Sequence, residues 1–176
     1  NQYELNGEWV NFKETDQTFK VKLFGPFNIT YPIKMYHSKH GPVLKDDNKA
    51  FALRFVGMND VNHSTAWLKM NKSKNIDEWL DALRMEQLAS LNLVYADKDD
   101  NIFFVHNAKS PVRDPNYNWK QVVPGNKSDL IWNNFHPFES VPQILNPSSG
   151  YIFSTNQNPF FVTAKEDNLS LSNFNP

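Results

Sequence analysis

Residues 74–108 read KNIDEWLDALRMEQLASLNLVYADKDDNIFFVHNA. Within this one stretch the hydrophobic period changes. Ile76, Trp79, Leu80 and Leu83 stand at i, i+3, i+4 and i+7, one face of a helix. Asn75 followed by Glu78 resembles a capping box, with Asn in place of Ser or Thr. These features predict a helix over about 75–88. LNLVYA and NIFFVHN then switch to strand-forming residues, and DKDDN joins them, which predicts a hairpin over 91–107. A helix followed directly by a hairpin indicates an α+β domain with antiparallel strands.

Upstream the chain reads as a β meander. Phe19, Val21 and Leu23 alternate with Lys20, Lys22 and Phe24, following Trp9, Val10 and Phe12 over residues 8–24. That is the period of a strand with one buried face. GPF at 25–27 punctuates, 28–38 reads as extended, HGP at 40–42 breaks the chain, and 50–56 reads as a short apolar strand. A second helix is expected at about 60–71, carrying Ala66, Trp67 and Met70. Trp67 and Trp79 both sit on helices and are assigned to the core. Downstream, residues 108–148 hold six of the eleven prolines, which argues for a long irregular segment. SGYIFSTNQNP, at 149–159, opens like a strand at Tyr151, Ile152 and Phe153 and stops at a proline.

Composition removes several function classes. A length of 176 residues suits one segment or domain. Eighteen basic and nineteen acidic residues leave no excess of positive charge for a phosphate backbone, so nucleic acid is not an expected partner. The absence of cysteine excludes disulfides, thiolate metal sites and thiol nucleophiles. No apolar run approaches the eighteen or so residues of a membrane helix.

Metal and cofactor signals are weak. Asp97, Asp99 and Asn101 alternate as in a calcium loop, but Ile102 and Ala108 stand where Gly and Glu are needed, so a plain hairpin turn is expected. His37 and His40 lie three apart, on opposite faces of a strand, and His63, His106 and His136 are isolated. No Gly-rich phosphate loop or Gly-x-Ser-x-Gly elbow occurs, and no cofactor is expected. Asn-x-Ser/Thr sequons start at Asn28, Asn62, Asn71, Asn126 and Asn168, as chance produces in an Asn-rich chain. Trp9, Trp119 and Trp132 are possible sugar platforms, so a stand-alone carbohydrate-binding or structural α+β domain stands as the alternative function.

Five pieces, in order, resemble the penicillin acylase family of N-terminal-nucleophile hydrolases. They are YHSKHGPVL (36–44), AFALRFVGMND (50–60), the helix and hairpin of 74–108, VPGNKSDLIWNNFHPFESVPQILNP (123–147), and SSGYIFSTNQNP (148–159). The likeness is strongest to the acyl-homoserine-lactone, aculeacin and cephalosporin acylases. It implies a linear-amide hydrolase built as an αββα sandwich of mostly antiparallel strands, with the helices as an insert that helps cover an acyl pocket. It also implies a bacterial periplasmic or secreted location.

In such enzymes a precursor cleaves itself, and the large chain then begins with a serine whose own amine acts as base. This chain opens at Asn1 and resembles an internal part of that large chain. The nucleophile is therefore expected outside it, and the chain alone is expected to be inactive. Its expected partners are the small chain, the remainder of the large chain and an N-acylated small-molecule substrate. As a fragment it should expose an apolar patch, expected around 101–105 and 151–161.

Within SGYIFSTNQNP, the resemblance puts the family's oxyanion-hole asparagine at Asn156. Asn158 precedes a proline and is expected to shape the turn, and Thr155 should face away from Asn156.

Overall fold

The computed structural model describes residues 1–46, 49–89, 91–106 and 109–169. It divides into two compact units, Asn1–Phe55 with Arg113–Asn133, and Val56–Val112 with Asn134–Pro176.

The first unit begins with a hairpin, β1 (Gln2–Leu5) and β2 (Glu8–Asn11). Asn6 and Gly7 form its turn at φ 52° and 85°. The left-handed region is tolerated by Asn and open to Gly, so this pair suits a two-residue hairpin. A four-stranded antiparallel sheet follows in the order β3 (Lys13–Phe24), β4 (Phe27–His37), β5 (Pro42–Asp46), β6 (Lys49–Ala52). Gly25, at φ 52°, opens the β3–β4 turn.

The β3–β4 register pairs Thr15 with Met35, Gln17 with Ile33, Phe19 with Tyr31 and Val21 with Ile29. These residues share one face, because side chains alternate along a strand. The other face carries Lys20 opposite Thr30 and Asp16 opposite Lys34, with Lys34 Nζ 3.0 Å from Glu14 Oε2.

The apolar face was expected to be buried, and it is not. Exposure runs from 38% at Met35 to 63% at Tyr31. β5 pairs with β4 at Tyr36 and His37, so among the described residues the rest of β3–β4 is a two-stranded arm, and no layer among them packs across its apolar face. The exposed patch therefore lies chiefly on this arm. Phe103, Phe104 and Val105, expected to contribute to it, are buried, although Phe153 (45%) and Phe161 (61%) are exposed.

The second unit holds the helices, α1 (His63–Lys72) and α2 (Ile76–Leu83). The expected cap forms. Asn75 Oδ1 accepts from Glu78 N at 2.9 Å, while the Glu78 carboxylate accepts from Lys74 N at 2.9 Å. α2 ends earlier than expected, because Glu86 adopts φ 54° and donates its N–H to Leu83 O. The left-handed region is costly for a residue with a Cβ. Glu86→Gly should therefore raise stability by about 0.5–1 kcal/mol, the relieved strain less the extra chain entropy of glycine. Urea unfolding checks this, and no gain would mean that Glu86 holds the turn through its side chain.

β7 (Asn92–Ala96) and β8 (Ile102–His106) form the predicted hairpin. β9 (Ser110–Pro111) pairs with β10 (Phe135–His136), and β11 (Gln143–Leu145) adds a third strand beside β8. The described part of this segment, 109–148, is thus mostly irregular but supplies short strands, as well as 3₁₀ turns at Ser128–Leu130 and Phe138–Ser140, while residue 108 lies outside the described residues.

The core of this unit joins Ala66 and Met70 of α1, Trp79 and Leu83 of α2, Phe103 and Val105 of β8, and Phe138 and Val141. Trp79 packs its ring 5.0 Å from Tyr95 and 5.9 Å from Phe103. Trp67 does not belong to this core, because Ala66 and Met70 form the buried stripe of α1 and leave it 36% exposed. Mixed α+β architecture with antiparallel sheets is what the sequence predicts.

Candidate functional site

The stretch 149–159 was expected to open as a strand at Tyr151, Ile152 and Phe153. Instead residues 149–163 form a loop held largely by side chains. Phe153 N–H donates to Val162 O at 2.9 Å, a single ladder-like bond. Beyond it the Gln157 amide donates to both Phe153 O and Phe161 O, at 3.2 and 2.9 Å, and so does what a partner strand would do. Gln157 Oε1 accepts from Thr155 N–H and from the Thr155 hydroxyl. Pro159 has no N–H to give to a ladder.

The base of the loop is anchored. Asp167 accepts from Ser149 N–H at 2.7 Å and from the Ser148 hydroxyl at 2.8 Å. These bonds, the Ser148 hydroxyl first, hold the Asp167 carboxyl below the usual carboxylate range. Thr163 Oγ1 donates to Tyr151 O at 2.8 Å, and Asn168 Oδ1 accepts from Val162 N–H at 3.0 Å. On the sheet side, Asn92 Nδ2 donates to Ser154 Oγ at 3.4 Å, while Asn92 Oδ1 pairs with His106 Nδ1. Burial lowers the pKa of His106, so the neutral ring is favoured at neutral pH. His106, read as isolated in sequence, is a member of this tether.

The two asparagines of the loop differ. Asn158 Oδ1 accepts from Phe160 N–H at 3.0 Å, and Asn158 O accepts from Phe161 N–H at 3.0 Å. Asn158 shapes the turn, as expected. Asn156 is exposed, sits at φ 61°, and its amide takes part in none of the hydrogen bonds of the loop. An Asn in this left-handed conformation displays its side chain from a fixed backbone position. An amide so placed can donate to a developing negative charge without titrating.

The acidic turn takes up its own polar groups. Asp97 accepts from Asp99 N–H, from Asn101 N–H and from the Asn101 amide, and Tyr95 donates to it at 2.9 Å. Burial, then Asp97, pushes the Tyr95 hydroxyl up to about 12. This is a hairpin turn closed by an Asp side chain.

Trp119 and Trp132, read from sequence as separate platforms, lie 6.0 Å apart with the Arg113 guanidinium 5.0 Å from the Trp132 ring. Sequence reading missed Arg113 altogether, since no period or motif marks it. Trp9 is 69% exposed.

Comparison with known proteins gives these features a context. Residues 1–176 match the penicillin amidase family. The chain is 33% identical over 161 residues to penicillin G acylase of Escherichia coli, covering 89% of this chain and 18% of that protein. It is 25% identical over 167 residues to the acyl-homoserine lactone acylase QuiP of Pseudomonas fluorescens (strain Pf0-1), covering 88% of this chain and 19% of that one. Among solved structures, the thermostable penicillin G acylase of Alcaligenes faecalis superposes with a TM-score of 0.77 at 25% identity, over 97% of this chain and 31% of that chain. The chain thus spans less than a fifth of the length of these two relatives. With its fold and its sequence agreeing along almost its whole length, the chain belongs to the penicillin amidase family.

Proposed function

We propose that the chain is an internal part of the large chain of an N-acyl amide hydrolase, with Asn156 donating to the oxyanion formed when the amide carbonyl is attacked. The observation that carries this reading is the 33% identity to a penicillin G acylase over nearly the full segment. The open amide of Asn156 on a side-chain-braced loop supports it. The nucleophile is a serine outside these residues, activated by its own amine. The full fold is the four-layer αββα sandwich, and the enzyme works in the periplasm or outside the cell. Its substrate is an N-acylated small molecule with a hydrophobic acyl group, of the kind that the names of the relatives describe.

The chemistry asked of Asn156 is differential. A side-chain N–H at hydrogen-bond distance stabilises a full negative charge more than a neutral carbonyl, which lowers the barrier rather than merely tightening binding. The test is hydrolysis of N-acyl homoserine lactones and penicillins by the full-length protein, read as released acid by mass. The 176-residue chain serves as the blank and is expected to turn over nothing. Failure of the full-length protein on every acylated amine would leave the family fold without this activity, and turnover by the blank would put the nucleophile inside the chain.

The apolar face of β3–β4 fits the same reading. Phe19, Val21, Ile29, Tyr31 and Ile33 on one face make a surface that the remainder of the large chain covers in the complete enzyme. The isolated chain should therefore self-associate, seen as a mass that rises with concentration in light scattering. Phe19→Lys with Tyr31→Lys should restore a monomer. A clean monomer of the unmodified chain at high concentration argues against a covered face.

A further inference from the structure

The first unit contains a cavity of about 670 Å³ that owes nothing to Asn156 or its loop. Its walls include His40, Arg54, Arg113, Trp119, Gln121 and Trp132, and among the described residues no Asp or Glu lines it. The volume lies within the usual range of small-molecule sites.

The loop that forms one wall is pinned across the sequence. Asn6 N–H donates to Asn126 O at 2.8 Å, and the Asn6 amide exchanges bonds with Ser128 at 2.7 and 3.0 Å. Arg54 braces the floor, with its two terminal nitrogens donating to His40 O at 3.1 Å and Trp132 O at 3.0 Å. Trp119 is fixed by its indole N–H, which donates to Asp114 O at 2.8 Å.

Arg113 is different. Its guanidinium lies 5.0 Å from the Trp132 ring and 5.9 Å from the Trp119 ring. Its Nε and the neighbouring Trp132 Nε1 are buried without a hydrogen-bond partner among the described residues. The adjacent carboxylate, Asp114, is taken by the N–H and amide of Asn116. Burial lowers the pKa of both Arg113 and Arg54, which are partly buried. His40 is buried too, and burial, then the Arg54 charge, lowers its pKa, so the neutral ring is favoured.

A guanidinium N–H buried without a partner is costly unless an acceptor completes it. Contact through the ring faces leaves the in-plane N–H fork free, and that fork matches a carboxylate in two-point geometry. Phe51, Val122 and Leu130 supply apolar wall for the body of the ligand.

We propose that this cavity binds a small organic carboxylate, its carboxylate on Arg113 and its apolar body between the tryptophans and the aliphatic wall. The carboxylate could equally come from an acidic side chain elsewhere in the longer protein, and the experiment separates the two sources.

Naphthalene-2-carboxylate is titrated into the full-length protein at low salt by calorimetry, with naphthalene-2-carboxamide as the neutral control. The carboxylate should bind with the carboxamide at least tenfold weaker, the difference expected of a charge-assisted pair. Arg113→Gln should remove at least tenfold of the affinity for the carboxylate, and Arg113→Lys, which keeps charge but loses the fork, should lose part of it. In ¹H–¹⁵N spectra, the indole signals of Trp132 and Trp119 should move on binding while those of Trp9 and Trp79 stay. Should Arg113→Gln fail to fold, the Trp132 shift in the unmodified protein decides. Equal binding of acid and amide overturns the proposal, as does binding that survives Arg113→Gln in a folded protein. So does a full-length protein that ignores naphthoate and shows Arg113 paired with its own Asp or Glu.

Discussion

Replacing Asn156 by alanine in the full-length enzyme is expected to lower kcat by roughly 10²–10³, the usual consequence of losing one oxyanion donor. The structure argues that the fold will survive the change. Asn156 is exposed, and the loop around it is held by Gln157, Asn158 and Thr163 rather than by its own amide. The backbone is the one complication. At φ 61° an alanine costs about 1 kcal/mol that asparagine largely avoids. Asn156→Gly removes the amide without that strain and should show the same loss of kcat. Asn158→Ala is the contrast. It deletes the bond to Phe160 N–H, a stability effect of about 1 kcal/mol, and should leave kcat within a fewfold of the parent. If Asn158→Ala abolished turnover while Asn156→Ala kept it, the register of the oxyanion residue would move two positions along.

Local sequence carried the elements that local interactions hold. The α2 cap needs only Lys74, Asn75 and Glu78, and the β7–β8 turn needs only residues within Asp97–Asn101, so both were readable. β11 was not, since three residues show no period and its partner is β8, with Ile144 opposite Phe104. The opening of the 149–159 stretch was misread as a strand for a related reason. Tyr151, Ile152 and Phe153 favour extended backbone, but Gln157 satisfies the carbonyls that a neighbouring strand would have taken. The alternating face of β3 was read correctly as a face and wrongly as a buried one, because alternation reports a strand and not what covers it. The site divides in the same way. Asn156 is proposed only through the family resemblance, whereas Arg113 and its tryptophans come together from separate parts of an irregular segment that has no period to read.

Trp79 and Trp67 look alike in sequence, both aromatic and both on helices, and their replacement should separate them by several kcal/mol. Trp79 is 6% exposed and sits among Leu83, Tyr95 and Phe103. Trp79→Ala should cost about 3–5 kcal/mol, the range for deleting a large buried aromatic and leaving its cavity. Two edge or tilted ring contacts vanish with it, which favours the upper part of that range. Trp67 is 36% exposed, and its ring neighbour among the described residues is His63, 6.2 Å away on the same helix. Trp67→Ala should cost about 1 kcal/mol or less, since a partly exposed side chain gives up little burial. Urea unfolding of both variants measures the difference, with the midpoint read at unchanged slope. A loss of 3–5 kcal/mol is a large share of the stability of an ordinary domain. It should reach the 149–163 loop as well, because β7 and β8 carry Asn92 and His106, the pair that ties Ser154 to the sheet. Equal costs at the two tryptophans would mean that α1 buries Trp67 in solution and that its open face belongs to an incomplete surface.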